Sequence, residues 1–231
     1  MKKSLLCGLA FAALMLCNCA GNGEKCNCNN KCSDGDNCCK QSECCQQDTK
    51  CQSDENQVVN AIMARRSIRK YKDTPVEHEK LETIAKCGIN APSGMNKQPW
   101  EIRVVENQEL INQVNDVYKK LNAEAVAKDP SFKNMFRNAP NIICVAGEQN
   151  SGLDLGLLGE NMMLAAQSLG LGTCCLGGPV HFLTNTEEAR FFIEKLGFSE
   201  GYSLMYILAV GYPDESPDAK PRDEGKVKFI Q

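Results

Sequence analysis

The chain has 231 residues, a formal net charge of −3 and an apolar content of 42%. That length suits one domain with a substantial core and is marginal for two. The small net charge, with basic pairs such as Lys119-Lys120 standing alone, excludes the continuous basic stripe of a nucleic-acid binder.

Cysteine is the compositional anomaly. Of 15 cysteines, all but Cys87, Cys144, Cys174 and Cys175 lie at or before Cys51. Residues 1–20 read as a secretory signal, with Lys2-Lys3 as the charged start and Leu5 to Leu16 as the apolar stretch. The stretch is too short for a spanning helix. Leu16-Cys17-Asn18-Cys19-Ala20-Gly21 has the form of a loose bacterial lipobox. It offers lipidation at Cys17 or Cys19, or else ordinary signal cleavage near Ala20. The expectation is export, to the periplasm or to a membrane surface as a lipoprotein.

Residues 21–56 contain almost no large apolar side chain and are expected to lack order. Their thiols are Cys26, Cys28, Cys32, Cys38, Cys39, Cys44, Cys45 and Cys51. Three readings stay open: disulfides, a solvated tether, or soft-metal ligation without the paired spacing of a structural zinc site.

The folded part, residues 57–231, is taken in chain order. Val58, Val59 and Ile62 share a helical face, and that helix ends at Arg65-Arg66-Ser67. Asp73-Thr74-Pro75 is expected to cap a second helix with Leu81, Ile84, Ala85 and Ile89 as its buried stripe. The polar loop Ala91-Pro92-Ser93-Gly94-Met95-Asn96-Lys97-Gln98 leads through Pro99-Trp100 to a strand at Glu101–Val105. An amphipathic helix is expected over Glu109–Ala127, and a buried strand over Asn141–Ala146.

Asp154–Leu169 is apolar on nearly every side and reads as a central helix, its acidic residues arguing against a membrane span. A strand at Thr173–Leu176, a helix at Thr186–Leu196 and a core strand at Ser203–Val210 follow. Residues 212–231 form a polar tail unable to pack alone. Strands and helices interleave without a βαβ rhythm or a GxGxxG turn, which favours an α+β fold.

Two motifs carry chemistry. Arg65, Arg66 and Arg69 gather guanidinium groups, whose planar forks bind phosphate oxygens in pairs and stay charged, with the hydroxyl of Ser67 among them. Ser93, Asn96 and Gln98 offer hydrogen-bonding groups to a flat heterocycle. Each admits a plainer reading, as a basic helix end or as side chains that satisfy a turn. The Gly170–Pro179 crossing, where backbone can approach a planar ligand, and Lys220-Pro221-Arg222 add to the first pair.

With these residues in place, the chain resembles the FMN-dependent nitroreductase family. The resemblance is carried by Arg65 to Tyr71, Ala91-Pro92-Ser93 through Trp100, and Asn138-Ala139-Pro140. It continues through Gly170 to Cys174, Gly211-Tyr212-Pro213 and Lys220-Pro221-Arg222. It implies a mixed sheet flanked by helices, in an intertwined homodimer with FMN at the subunit interface. It further implies that Arg65, Arg66, Ser67, Arg69 and Arg222 meet the ribityl phosphate and pyrimidine edge. Pro92, Ser93, Asn96 and Gln98 are expected along the ring, and Leu176, Gly177 and Gly178 near the flavin N5.

No catalytic residue is expected, because the cofactor carries the hydride chemistry. No metal site is expected in this domain. His181 is read as a bystander, Cys174 and Cys175 as packing residues, and Phe132, Met135 and Phe136 as core or a substrate lid. The activity implied is reduction of nitroaromatics, quinones or related acceptors in two half-reactions, with NAD(P)H as the family's donor. Export conflicts with a cytosolic donor. The rival reading is a non-catalytic surface lipoprotein with a metal- or disulfide-forming leader and a relict flavin site.

Overall fold

A computed structural model of the chain describes residues 56–231. The expected signal, the lipidated cysteine and the cysteine-rich leader lie outside the described residues. Among the described residues no helix is long and apolar enough to cross a membrane.

The first helix, α1 (Gln57–Ala64), starts at Asn56, whose side chain accepts the N–H groups of Val58 and Val59. That satisfies two of the donors every helix leaves unpaired at its start. The next, α2 (His78–Ile89), buries Leu81, Ile84 and Gly88, while Ile89 stays exposed. It begins at Glu77 rather than at the expected Asp73-Thr74-Pro75. The cause is long-range: the Val76 N–H donates to Asn141 Oδ1, which ties Val76 to the start of β2 before the helix can begin.

Strand β1 (Trp100–Val105) is followed by α3 (Gln108–Leu121) and the short α4 (Ala123–Ala127). The single helix expected over Glu109–Ala127 is thus broken at Asn122, whose amide turns back onto the Tyr118 carbonyl. Then come β2 (Asn141–Gly147), α5 (Gly152–Ser168) and β3 (Gly172–Leu176). The chain continues through α6 (Gly178–Asn185), α7 (Arg190–Leu196) and β4 (Ser203–Gly211). Helix α6 was not expected. Gly177-Gly178-Pro179 reads as a turn, yet proline near the first helical position is a helix starter, because its missing N–H is not needed there.

The four strands pair antiparallel in the order β1-β2-β4-β3. A parallel bridge between Ser67 and Thr173 extends the sheet beyond β3 and gives it its mixed character. The inner strand β2 is buried along its whole length, as its β-branched run required. Alternate strand residues feed two cores. Ile142, Cys144, Ile207 and Ala209 face one, with Phe136 and Phe192. Ile143, Val145, Leu208 and Val210 face the other, against α2 and α5.

Gly159 lets α5 approach the sheet, since a side chain there would strike the Tyr206 hydroxyl, which donates to the Leu155 carbonyl. Each large side chain fully buried in these cores stabilises the fold by about 1.5–3 kcal/mol. Helix α5 is buried through Leu155, Leu158, Gly159, Met162 and Ala166, but Leu153 and Leu157 on it face outward.

Candidate functional site

The site begins where α1 stops. The Arg65 N–H closes the helix on the Ala61 carbonyl, and the chain then runs extended. The Ile68 N–H donates to the Thr173 carbonyl at 2.9 Å, which lays Ser67-Ile68 alongside β3. Ile68 is buried against Gly172, and the buried Tyr71 donates its hydroxyl to the Ile68 carbonyl at 2.5 Å. A carboxylate fixes the rest: Glu215 Oε1 accepts the backbone N–H groups of Arg69 and Lys70. The segment that carries the cations is therefore held from both sides.

Three of the predicted cationic residues differ in their roles. Arg65 is half-buried, and its Nε lies 3.4 Å from Glu160 on α5. Arg69 is exposed and donates through Nη1 to the Ser67 carbonyl. Arg66 turns back, donating to the carbonyls of Met63 and Arg65, and so covers the open end of α1. Behind it lies a cavity of about 480 Å³ whose lining includes Arg66, Ile68, Gln167, Gly170 and Glu215.

A further cation comes from the turn before β2. Burial raises the pKa of the Cys174 thiol, and Arg69, Arg137 and Arg65 pull it back down. Tyr71, raised chiefly by burial, also feels Arg69 and Arg137. Arg69 and Arg137 thus act on the same two groups, Cys174 and Tyr71. Arg137 was not singled out from sequence; the turn that aims it has Arg137 and Asn138 at φ 59° and 61°, which no local motif announces.

At the other end of β3, Leu176 is buried while Gly177 and Gly178 are exposed. A side chain added at either glycine would meet nothing within 4 Å, so the space before them is open. Cys175 is exposed beside this opening rather than packed as expected, whereas Cys174 is core. His181 sits exposed on α6.

The Pro-Ser-Gly loop is ordered by its own atoms. Ser93 Oγ accepts the Gln98 N–H at 3.0 Å, and the Gly94 N–H donates to Asp154 Oδ1 at 3.2 Å. Met95, Asn96 and Gln98 all adopt positive φ, near 50°. Such backbone costs on the order of 1 kcal/mol per residue and clusters where function over-determines the structure. Pro92, Asn96 and Gln98 are exposed, and Ser93 is half-buried.

Loop and clamp are not neighbours within one chain. The loop precedes β1 at one sheet edge and the clamp lines β3 at the other, three strand spacings or about 14 Å across. Arg222 lies in the exposed tail and bonds only locally, to the Lys220 carbonyl at 3.1 Å. Phe136 and Met135 are core residues, and Phe132 stacks on Tyr118, so none of the three forms a lid.

Comparison with known proteins follows this geometry. The chain is 30% identical over 174 residues to the NADPH-flavin oxidoreductase of Vibrio harveyi, covering 72% of this chain and 70% of that protein. The solved nitroreductase of Desulfitobacterium hafniense, with bound FMN, superposes with a TM-score of 0.68 at 27% identity. That match covers 77% of this chain and 100% of the other. The FMN-bound nitroreductase of Bacteroides fragilis gives 0.64 at 26%, with the same two coverages. The Nitroreductase family model matches residues 62–212, which span the clamp, the loop and all four strands, and the chain belongs to that family.

Proposed function

We propose that this protein is an FMN-dependent oxidoreductase that takes electrons from a donor of the NAD(P)H type and passes them to nitroaromatic, quinone or related acceptors. The observation that carries this reading is the two-ended character of β3. The segment that carries Arg65 and Arg69 is laid along its start by Ser67 and Ile68, and an open, side-chain-free floor lies at its end. A phosphate monoester suits the first and a flat ring the second, so FMN fits the residues present.

When bound, FMN supplies the hydride chemistry. The protein positions it. Arg65 and Arg69 hold the phosphate, with Ser67 beside them. The N–H groups of Gly177 and Gly178, at the start of α6, are donors for the electron-rich edge of the ring. The absence of side chains there leaves room for donor and acceptor to take the same open face in turn.

The site is completed by a second copy of the chain. Residues Val58, Val59, Ile62 and Met63 of α1 are exposed, as are Leu153 and Leu157 of α5. Such an apolar face favours association. A second protomer seated there would bring its own Pro92–Gln98 loop to the clamp of the first. The tail residues Val227, Phe229 and Ile230 are likewise bare and suit an embrace of the partner.

Purified protein tests the reading directly. It should be yellow, should bleach with NAD(P)H in the absence of acceptor, and should recover its colour on addition of a nitroaromatic or quinone. Protein that holds FMN but passes no electrons to these acceptors would favour a non-catalytic binding module.

A further inference from the structure

Arg137 has no role in the reading above, and its position is unusual. It occupies the left-handed region at φ 59°, followed by Asn138 at 61°. Asparagine tolerates this region because its short polar side chain bonds locally, and Asn138 does so. Its Oδ1 accepts the N–H groups of Lys133 and Asn134, and its Nδ2 donates to the Ser131 carbonyl. Arginine has no such compensation, and a long side chain there carries strain that glycine would relieve.

Both flanks of this residue are fixed. Phe136 and Ala139 are fully buried, and the Met135 N–H donates to the buried Asn115 at 2.7 Å. Pro140 lies against Gly211, where Tyr71 also packs, and Tyr71 in turn holds the Ile68 carbonyl. The turn is therefore braced against the end of β4, which pairs with the start of β3 where Ser67 bridges Thr173. Among the described residues Arg137 forms no ion pair, whereas Arg65, Arg103 and Arg190 each face a glutamate. An exposed cation on strained backbone is thus carried by a fixed turn at the end of the sheet where Ser67 joins β3. Its influence on both Cys174 and Tyr71 agrees with that placement.

We propose that Arg137 is a phosphate-binding residue, an arm of the clamp that meets the terminal phosphate of FMN together with Arg65 and Arg69. This rests on the flavin reading. Strain at Arg137 is retained because glycine, which suits the backbone better, would leave one edge of the dianion without a charged donor.

The test uses the full chain with Arg137→Gly and Arg137→Lys, titrated with FMN and with riboflavin by flavin fluorescence, alongside the melting temperature of the flavin-free protein. Arg137→Gly should weaken FMN by roughly tenfold, the loss of one charge-assisted arm. Riboflavin binding should be unchanged, the flavin-free protein should melt no lower than the parent, and Arg137→Lys should recover part of the FMN affinity. Equal FMN affinity in parent and Arg137→Gly would overturn the assignment while leaving the flavin reading intact. Parallel losses for FMN and riboflavin would also overturn it, by showing that the turn only shapes the site. A parent that binds neither flavin would remove both readings at once.

Discussion

If clamp and loop serve one site from two chains, two crippled proteins should repair each other. The first variant is Arg65→Ala with Arg69→Ala, which removes two charge-assisted bonds worth about 1.5–3 kcal/mol each. The second is Ser93→Ala, Asn96→Ala and Gln98→Ala, which removes three neutral groups worth about 1 kcal/mol each. Either loss, about 3 kcal/mol or more, weakens flavin over a hundredfold, so each variant alone is empty at FMN levels that saturate the parent. Unfolded together in equal amounts and refolded, the chains pair at random, and about half of the dimers are mixed. Each mixed dimer holds one site with both defects and one with neither. About a quarter of all sites should therefore bind FMN, read as flavin absorbance after desalting. The expectation rests on the three strand spacings, about 14 Å, that separate β1 from β3. Recovery of no sites, from a parent that refolds and binds FMN under the same treatment, would refute the shared site and require loop and clamp to act within one and the same chain.

Other outcomes follow from single features. Phe136→Ala should destabilise the fold by about 3–5 kcal/mol in urea titrations, and the Michaelis constants of the surviving protein should not change, because Phe136 is core rather than lid. Gly159→Val should cost about 1–3 kcal/mol by driving α5 from Tyr206, with Tyr206→Phe giving partial relief. The hydrogen bond to Glu106 raises the pKa of His78 above its unfolded value. Its stabilisation is therefore complete below the unfolded pKa and is lost as pH rises through the folded one. His78→Gln should flatten that segment of the stability–pH curve, and an NMR titration placing the His78 pKa at or below the ordinary histidine value would contradict it. A chain of residues 56–223, lacking Val227, Phe229 and Ile230, should keep the four-stranded fold by circular dichroism but dissociate more readily in sedimentation runs.

What could be read from sequence was what short-range physics decides. The apolar run Asn141–Ala146 could only be an inner strand, and Leu81 with Ile84 could only face a core. Ser67 bridges to the start of β3, and Arg69 donates to its carbonyl. The misses came from distant partners. Asn141 captures Val76 across 65 residues and delays α2, and nothing near Asp73 signals it. Arg66 reads as one more clamp residue, yet the bare carbonyls of its own helix are nearer. Arg137 escaped notice because its importance lies in a backbone angle and a through-space neighbourhood, neither of which is written in the residues beside it.

None of the residues of α1 is buried in its own chain. Helices of eight residues are marginal in water even with a good cap, because nucleation costs more than so few propagating bonds return. In the dimer proposed above, the amide protons of residues 61–64 should exchange with solvent at rates set by how often the protomer stands alone. Those of Ile142 and Leu208, deep in the sheet, should exchange only on global unfolding. Diluting the protein in deuterated buffer would release the first set at a concentration where the second is still silent. The dependence of that release on concentration would give the dissociation constant of the proposed dimer, read from one helix without a label or a tag.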